Sequence, residues 1–338
     1  MKRINKIDIL RAIGITLMIL GHVFDFFGKF DRYIHTFHMP LFFIVSGFLF
    51  KSKTDIKLNK LILQKMKRLL IPYCSFAIIN YLAWIFLEKG DQVWYKPLIK
   101  LVTYNTNGLP ICGALWFLTA LFWTETFYII LDRIVKKYQI RSILVITIAV
   151  LASWIQNKTD FRLPLTIDTG LVCMGFYEIG RLCKLYGGIV YEKLKNYTIG
   201  KLIGVGSALA IINAVLAFVN PYVNIKSGWF GIVPLFWINA LIGVAACYML
   251  ALLLDRILKD TNLIKKYLIS IGTGSIVFLG FNQVAILCSR IILVHTSLNG
   301  NIWILNAFAF VIVMIVLHLL YLALNKINSY AIKIMFGI

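Results

Sequence analysis

The stretch Ile9-Leu10-Arg11-Ala12-Ile13-Gly14-Ile15-Thr16-Leu17-Met18-Ile19-Leu20-Gly21-His22-Val23-Phe24-Asp25-Phe26-Phe27 decides how the rest of the chain is read. As a helix it is long enough to cross about 30 Å of hydrocarbon, yet three ionisable side chains interrupt it. Arg11 and His22 are eleven residues apart, which at 100° per residue returns them to within about 20° of one another, and Asp25 follows His22 at i+3. One polar stripe therefore runs along an apolar helix. The rise of 1.5 Å per residue puts His22 roughly 16 Å from Arg11, near the middle of a bilayer if Arg11 lies near its edge. The plain alternative is a histidine that merely bonds a neighbouring helix; two more ionisable groups on its face favour a functional site. Met1-Lys2-Arg3 before the run imitates a signal peptide, but the charges and the absence of a clean small-x-small cleavage site point to an uncleaved first span.

The composition fits such a setting. The 338 residues are 60% hydrophobic and 14% charged, against about 25% charged in an ordinary soluble domain, and the mean hydropathy is +0.83. Apolar runs of spanning length recur near 34–50, 69–87, 114–131, 142–156, 165–182, 200–219, 229–253, 268–294 and 302–324. With the first, they predict an all-α integral membrane protein of about ten transmembrane helices, one domain over residues 1–338, with the lipid bilayer as its first partner. The net charge of +21 would suggest nucleic acid in a soluble protein. Here 26 of the 35 Lys and Arg fall in the N-terminal tail with Arg11 and in segments 51–68, 132–141, 181–201, 255–266 and 325–338, all on one predicted face. That asymmetry predicts cytoplasmic termini and removes the need for a nucleic-acid partner. Six scattered cysteines without C-x-x-C spacing read as packing residues.

Several polar groups sit where lipid would not tolerate them alone. His35 and His38 are one helical turn apart if the second helix has begun, but no third ligand completes a metal set in the sequence, so no metal is expected. His38 precedes Met39-Pro40, where a first-turn proline leaves the histidine placed to face a cavity. Lys65, Lys67 and Arg68 end the basic loop before the third span: topology alone explains them, and a phosphate cradle made by Lys65 and Arg68 explains them equally. Glu125, Asp168, Glu178 and Arg181 must be paired or wet, with Glu178 and Arg181 expected as an i, i+3 ion pair. Asn282, Gln283, Arg290 and His318 are candidates for interhelical bonds.

Together these residues resemble the membrane acyltransferase 3 family of bacterial O-acyltransferases. Arg11 with His22 is similar to the family's R-x10-H pattern, and His38-Met39-Pro40-Leu41-Phe42-Phe43-Ile44-Val45-Ser46-Gly47 to its H-x-P-L-F-F-x-x-S-G block. Arg68-Leu69-Leu70-Ile71-Pro72-Tyr73 resembles the segment after its basic loop, and Leu115-Trp116-Phe117-Leu118 its fourth-span signature. Lys65-x-x-Arg68 stands where many relatives have R-x-x-R, which keeps charge and loses one bidentate fork. Asn282, seven residues after Ser275, stands where many have His, and Asn takes up no proton.

The resemblance implies acyl-coenzyme A, with acetyl as the acyl group, as donor and a hydroxyl of a carbohydrate or other cell-envelope acceptor, at a bacterial cytoplasmic membrane. It implies catalytic roles for His22, His38 and Asp25, donor binding by Arg11, Lys65 and Arg68, and an acceptor cavity lined by Trp116, Glu125 and Asn282. A membrane transporter or flippase remains the alternative, since buried charges and two polar mouths also suit passage of a solute. A structural assembly subunit leaves the midplane histidine without a purpose.

Overall fold

The computed structural model describes residues 5–24, 28–88, 90–103, 113–159, 162–296 and 301–338. These form fourteen α-helices: α1 Asn5–Val23, α2 Gly28–His35, α3 His38–Leu49, α4 Leu58–Leu87, α5 Lys96–Thr103, α6 Trp116–Ile134, α7 Tyr138–Lys158, α8 Ile167–Lys195, α9 Ile199–Val219, α10 Val233–Ile257, α11 Leu263–Thr273, α12 Ser275–Val294, α13 Ile302–Lys326 and α14 Tyr330–Phe336. No strand occurs among the described residues, so the all-α reading holds.

Six helices, α4, α7, α9, α10, α12 and α13, are long and apolar enough to cross a membrane by themselves. Their outward faces carry exposed Phe86, Ile143, Ile211 and Leu319, a surface that suits lipid and not water. The other four predicted spans fall on α1, α3, α6 and α8. Charged residues inside them lower the hydropathy of α1, α6 and α8, and α3, with twelve residues, reaches only about 18 Å. The predicted second span is interrupted between α2 and α3, and the predicted ninth is two helices meeting at Gly274.

Of these four helices, α1, α3 and α6 are the ones that the protein wraps most fully. In α1, Ile9, Ala12, Ile15, Ile19 and Val23 have no solvent exposure, and residues on every face of the helix are buried. A helix surrounded in this way can hold polar groups because other protein segments, not lipid, supply their partners. Helices α3 and α8 come into backbone contact beside it. A Cβ on Gly47 would overlap the Tyr177 carbonyl, and one on Gly180 would overlap the Ile44 carbonyl, so each glycine admits the other helix's backbone.

Helix α4 extends well past its predicted span. α4 has 30 residues, about 45 Å, so the basic segment before Pro72 is helical rather than a loop. Its positions 61, 64, 65 and 68 form one stripe along a face. At the other end of the chain, α14 packs on α4 and α12, with the Phe336 ring 5.7 Å from both Phe76 and Phe281.

Candidate functional site

The polar residues of the inner helices gather in two cavities, one at each end of α1. The first, about 460 Å³, is lined by Arg11 of α1, Ser46 and Leu49 of α3, the α4 stripe of Leu61, Gln64, Lys65 and Arg68, Glu125 and Arg133 of α6, and Tyr177 of α8. Lys51 and Lys53 enter from the segment after α3. That segment is fastened to α6: Ser52 donates to the Asp132 carboxylate, and Arg133 donates to the carbonyls of Lys53, at 3.2 Å, and Ile56.

Six cations therefore line this cavity with two carboxylates, and both carboxylates are engaged. Glu125 is 2.8 Å from the Lys65 ammonium, and Asp132 is 2.5 Å from Arg141. Arg11 has Asp8 at 3.6 Å, one turn earlier on its own helix. Arg68 is exposed and has no carboxylate within 4 Å among the described residues. The surplus of positive charge, arranged on a helix stripe and a fixed loop, makes a receptor for a multiply charged anion.

The second cavity, about 210 Å³, is lined by Met18 and His22 of α1, Asp31 and His35 of α2, His38 and Met39 of α3, Trp116 of α6, Gln283 of α12 and the segment between α9 and α10. His35 closes α2 and His38 opens α3, so the break between the two helices brings their rings edge to face at 5.0 Å. Asp31 holds this corner: one carboxylate oxygen is 2.9 Å from His35 Nδ1 and the other accepts from the Tyr222 hydroxyl at 2.7 Å.

His38 Nδ1 lies 2.8 Å from the Ile34 carbonyl, an oxygen that can only accept. Its proton is therefore on Nδ1, and Nε2 carries the free lone pair, the arrangement a base requires. The His22 imidazole lines the cavity without a hydrogen-bond partner among the described residues. A ring so placed is available to a bound molecule.

Aromatic side chains lie between the cavities, which share no lining residue. On α3, Phe42 lies one turn after Met39 of the histidine cavity and one turn before Ser46 of the cationic one. The Phe42 ring rests on Gly14, where a Cβ would stand 3.0 Å from its Cζ, and Gly14 lies between Arg11 and Met18 on α1. Phe117 of α6 packs edge-on to Phe42 with centroids 5.7 Å apart. Phe42 and Phe117 form a narrow apolar partition across the line from Arg11 to His22.

The residues singled out from the sequence divide between these places. Arg11, Lys65 and Arg68 meet in the cationic cavity, while His22, His38 and Trp116 meet in the histidine cavity. Glu125, expected beside Trp116, lies in the cationic cavity on Lys65. Asn282 lines neither: it is 1% exposed and donates to the Leu279 carbonyl of its own helix at 2.6 Å, while its neighbour Gln283 faces the histidine cavity and accepts from the Gly113 amide at 2.9 Å. Asp25 lies outside the described residues. Among the described residues the carboxylate that orients a histidine is Asp31, whose signal is the spacing Asp31-x-x-x-His35 in a helix-forming stretch.

The expected Glu178–Arg181 pair does not form. The Glu178 carboxylate accepts from Tyr128 and Ser142, and the Arg181 guanidinium lies 5.5 Å over the Phe50 ring. No group of three or more His, Cys, Asp or Glu side chains able to hold a metal ion occurs among the described residues.

Compared with known proteins, the chain matches one family model, described as an acyltransferase domain, over residues 4–323, essentially its whole length. No curated protein and no solved structure matches it.

Proposed function

The chain belongs to the acyltransferase 3 family, and from that premise we propose that this multi-pass membrane protein moves an acyl group, acetyl in the simplest case, from acyl-coenzyme A to a hydroxyl of a carbohydrate or other cell-envelope acceptor. The observation that carries the proposal is the placement of Arg11 in a cation-rich cavity and His22 in a histidine-lined cavity on one helix, about 16 Å apart.

In this reading the Arg11 end faces the cytoplasm of a bacterial cell, with both termini and a bundle of about ten membrane segments, as the concentration of Lys and Arg on that face favours. Arg11, Lys65 and Arg68 bind the phosphates of the donor, whose charge keeps it out of lipid. The flexible arm carrying the thioester extends along α1 past Phe42. At the far end, Nε2 of His38 or the His22 ring takes the proton of the acceptor hydroxyl. The hydroxyl oxygen forms the ester bond to the acyl carbon as the carbon–sulfur bond breaks, and the coenzyme leaves as a thiol after receiving that proton. His22 could instead carry the acyl group for one step, with the same balance of atoms. The apolar walls of Met18, Met39 and Trp116 limit water around the thioester.

Purified protein in detergent, given radiolabelled acetyl-coenzyme A and cell-envelope extract, is expected to label the extract; His22→Ala is expected to retain donor binding and lose labelling. Undiminished labelling by His22→Ala contradicts the assignment. A transport reading draws on the same two cavities, with Phe42 and Phe117 between them, and predicts solute flux with no consumption of donor.

A further inference from the structure

The segment between α9 and α10 contributes Tyr222, Asn224, Ile225 and Lys226 to the lining of the histidine cavity. It is held in one shape. The Asn224 side chain accepts from the Ser227 amide at 3.2 Å, and the Asn224 and Trp229 backbones bond each other at 2.7 and 3.0 Å. Gly228 closes the turn at φ 75°, a conformation that disfavours a side chain. From outside, Arg162 donates to the Lys226 carbonyl at 2.9 Å while pairing with Asp168 at 2.6 Å. Beneath, Val223 and Ile225 are buried. The product of all this fastening is the position of the Lys226 side chain, half-buried at the cavity.

Among the described residues its charge is not answered. No carboxylate lies within 4 Å of the Lys226 ammonium among the described residues, and Asp31, the carboxylate lining the same cavity, is committed to His35 and Tyr222. Burial lowers the Lys226 pKa, as it does for an ammonium taken from water without a counter-ion. A rigid turn that holds a desolvated cation at a cavity beside three imidazoles leaves room for one negative group from a ligand.

We infer that Lys226, with the Asn224 side chain of the same turn, is an anion subsite of the acceptor cavity, and that the acceptor carries an oxyanion, a carboxylate or a phosphate, next to the hydroxyl that receives the acyl group. This rests on the proposed acyl transfer for its substrate, but the anion subsite stands on binding alone. A charge-assisted contact of this kind is worth roughly 10- to 100-fold in affinity.

The test is ligand-induced thermal stabilisation of the purified full-length protein by glucuronate, sn-glycerol 3-phosphate and neutral glucose. At least one anion is expected to stabilise the wild type more than glucose does, at a concentration where Lys226→Gln gains nothing and Lys226→Arg keeps most of the gain. Size-exclusion profiles and unliganded melting of the variants check that folding is intact, and Lys226→Arg supplies the argument if Lys226→Gln misfolds. The two anions distinguish a carboxylated from a phosphorylated acceptor. Equal stabilisation of wild type and Lys226→Gln, or none by either anion in the wild type, overturns the subsite. Lys226-dependent anion binding in a protein that transfers no acyl group instead overturns the acyltransferase reading and leaves the subsite in place.

Discussion

The cationic and histidine cavities are built on the same helix, 11 residues apart, and they are organised by opposite means. At the Arg11 end six cations outnumber two carboxylates, and each carboxylate is already taken by Lys65 or Arg141. At the His22 end three imidazoles stand with one carboxylate among the described lining residues, and specific hydrogen bonds engage Nδ1 of His35 and of His38. Net charge suits capture of a multiply charged molecule whose orientation can vary; fixed lone pairs suit a proton that must leave from one place. In the proposed reading one end holds and the other reacts, with the Phe42–Phe117 partition between them.

The contrast breaks first at the histidines. If proton transfer belongs to the His22 end, His22→Ala and His38→Ala each lower the rate of acyl transfer by about 10²- to 10⁴-fold, while equilibrium binding of labelled acetyl-coenzyme A stays within about twofold of wild type. A parallel loss of donor binding would place the histidines in the holding site.

The cationic end gives the next largest effect. Arg68→Ala is expected to weaken donor binding roughly tenfold, and a further Lys65→Ala change paired with Glu125→Gln roughly 100-fold, because each charge-assisted contact to phosphate contributes about 1.5–3 kcal/mol. Glu125 is changed together with Lys65 because its buried carboxylate would otherwise lose its counter-ion. Affinity for the acceptor should not move. The loss should shrink as salt is added, since screening weakens the wild-type contacts themselves. Equal losses for donor and acceptor would indicate a disturbed bundle.

A smaller effect sharpens the boundary between the two ends. Phe42→Leu shortens the partition over Gly14, and the expected outcome is a few-fold rise in hydrolysis of the thioester without acceptor, as water reaches it from the other cavity. The ratio of free acetate to acylated product measures this. An unchanged ratio, with transfer intact, would mean that Phe42 does not separate the cavities.

How much of this could be read from the sequence follows from the geometry of each part. Arg11 and His22 lie on one helix face, and so do Lys65 and Arg68, so periodicity alone places each pair. The helical class and the apolar outer helices were equally direct, because hydropathy over some twenty residues is a local property. The number of independent spans was not. Charges in α1, α6 and α8 are sheltered by neighbouring helices, and no window of sequence shows which helix is wrapped by others. The break between His35 and His38 was hidden inside an apolar run, although it is what brings the two rings together.

Asp31 and Lys226 were missed for a related reason. They reach the cavity from an eight-residue helix and from a turn almost two hundred residues away, and only their tertiary placement distinguishes them from ordinary surface charges. Asn282 shows the converse, since a matching position in a motif placed it near the chemistry while its side chain turns back to Leu279.

The central claim, that donor and acceptor meet the protein from opposite ends of α1, is tested most directly in proteoliposomes with the protein inserted in one orientation. Labelled acetyl-coenzyme A is supplied only on the Arg11 side and cell-envelope acceptor only on the His22 side. Labelled acceptor is expected on the far side, with the freed coenzyme remaining on the near side. Labelling that requires donor and acceptor on the same side would contradict it.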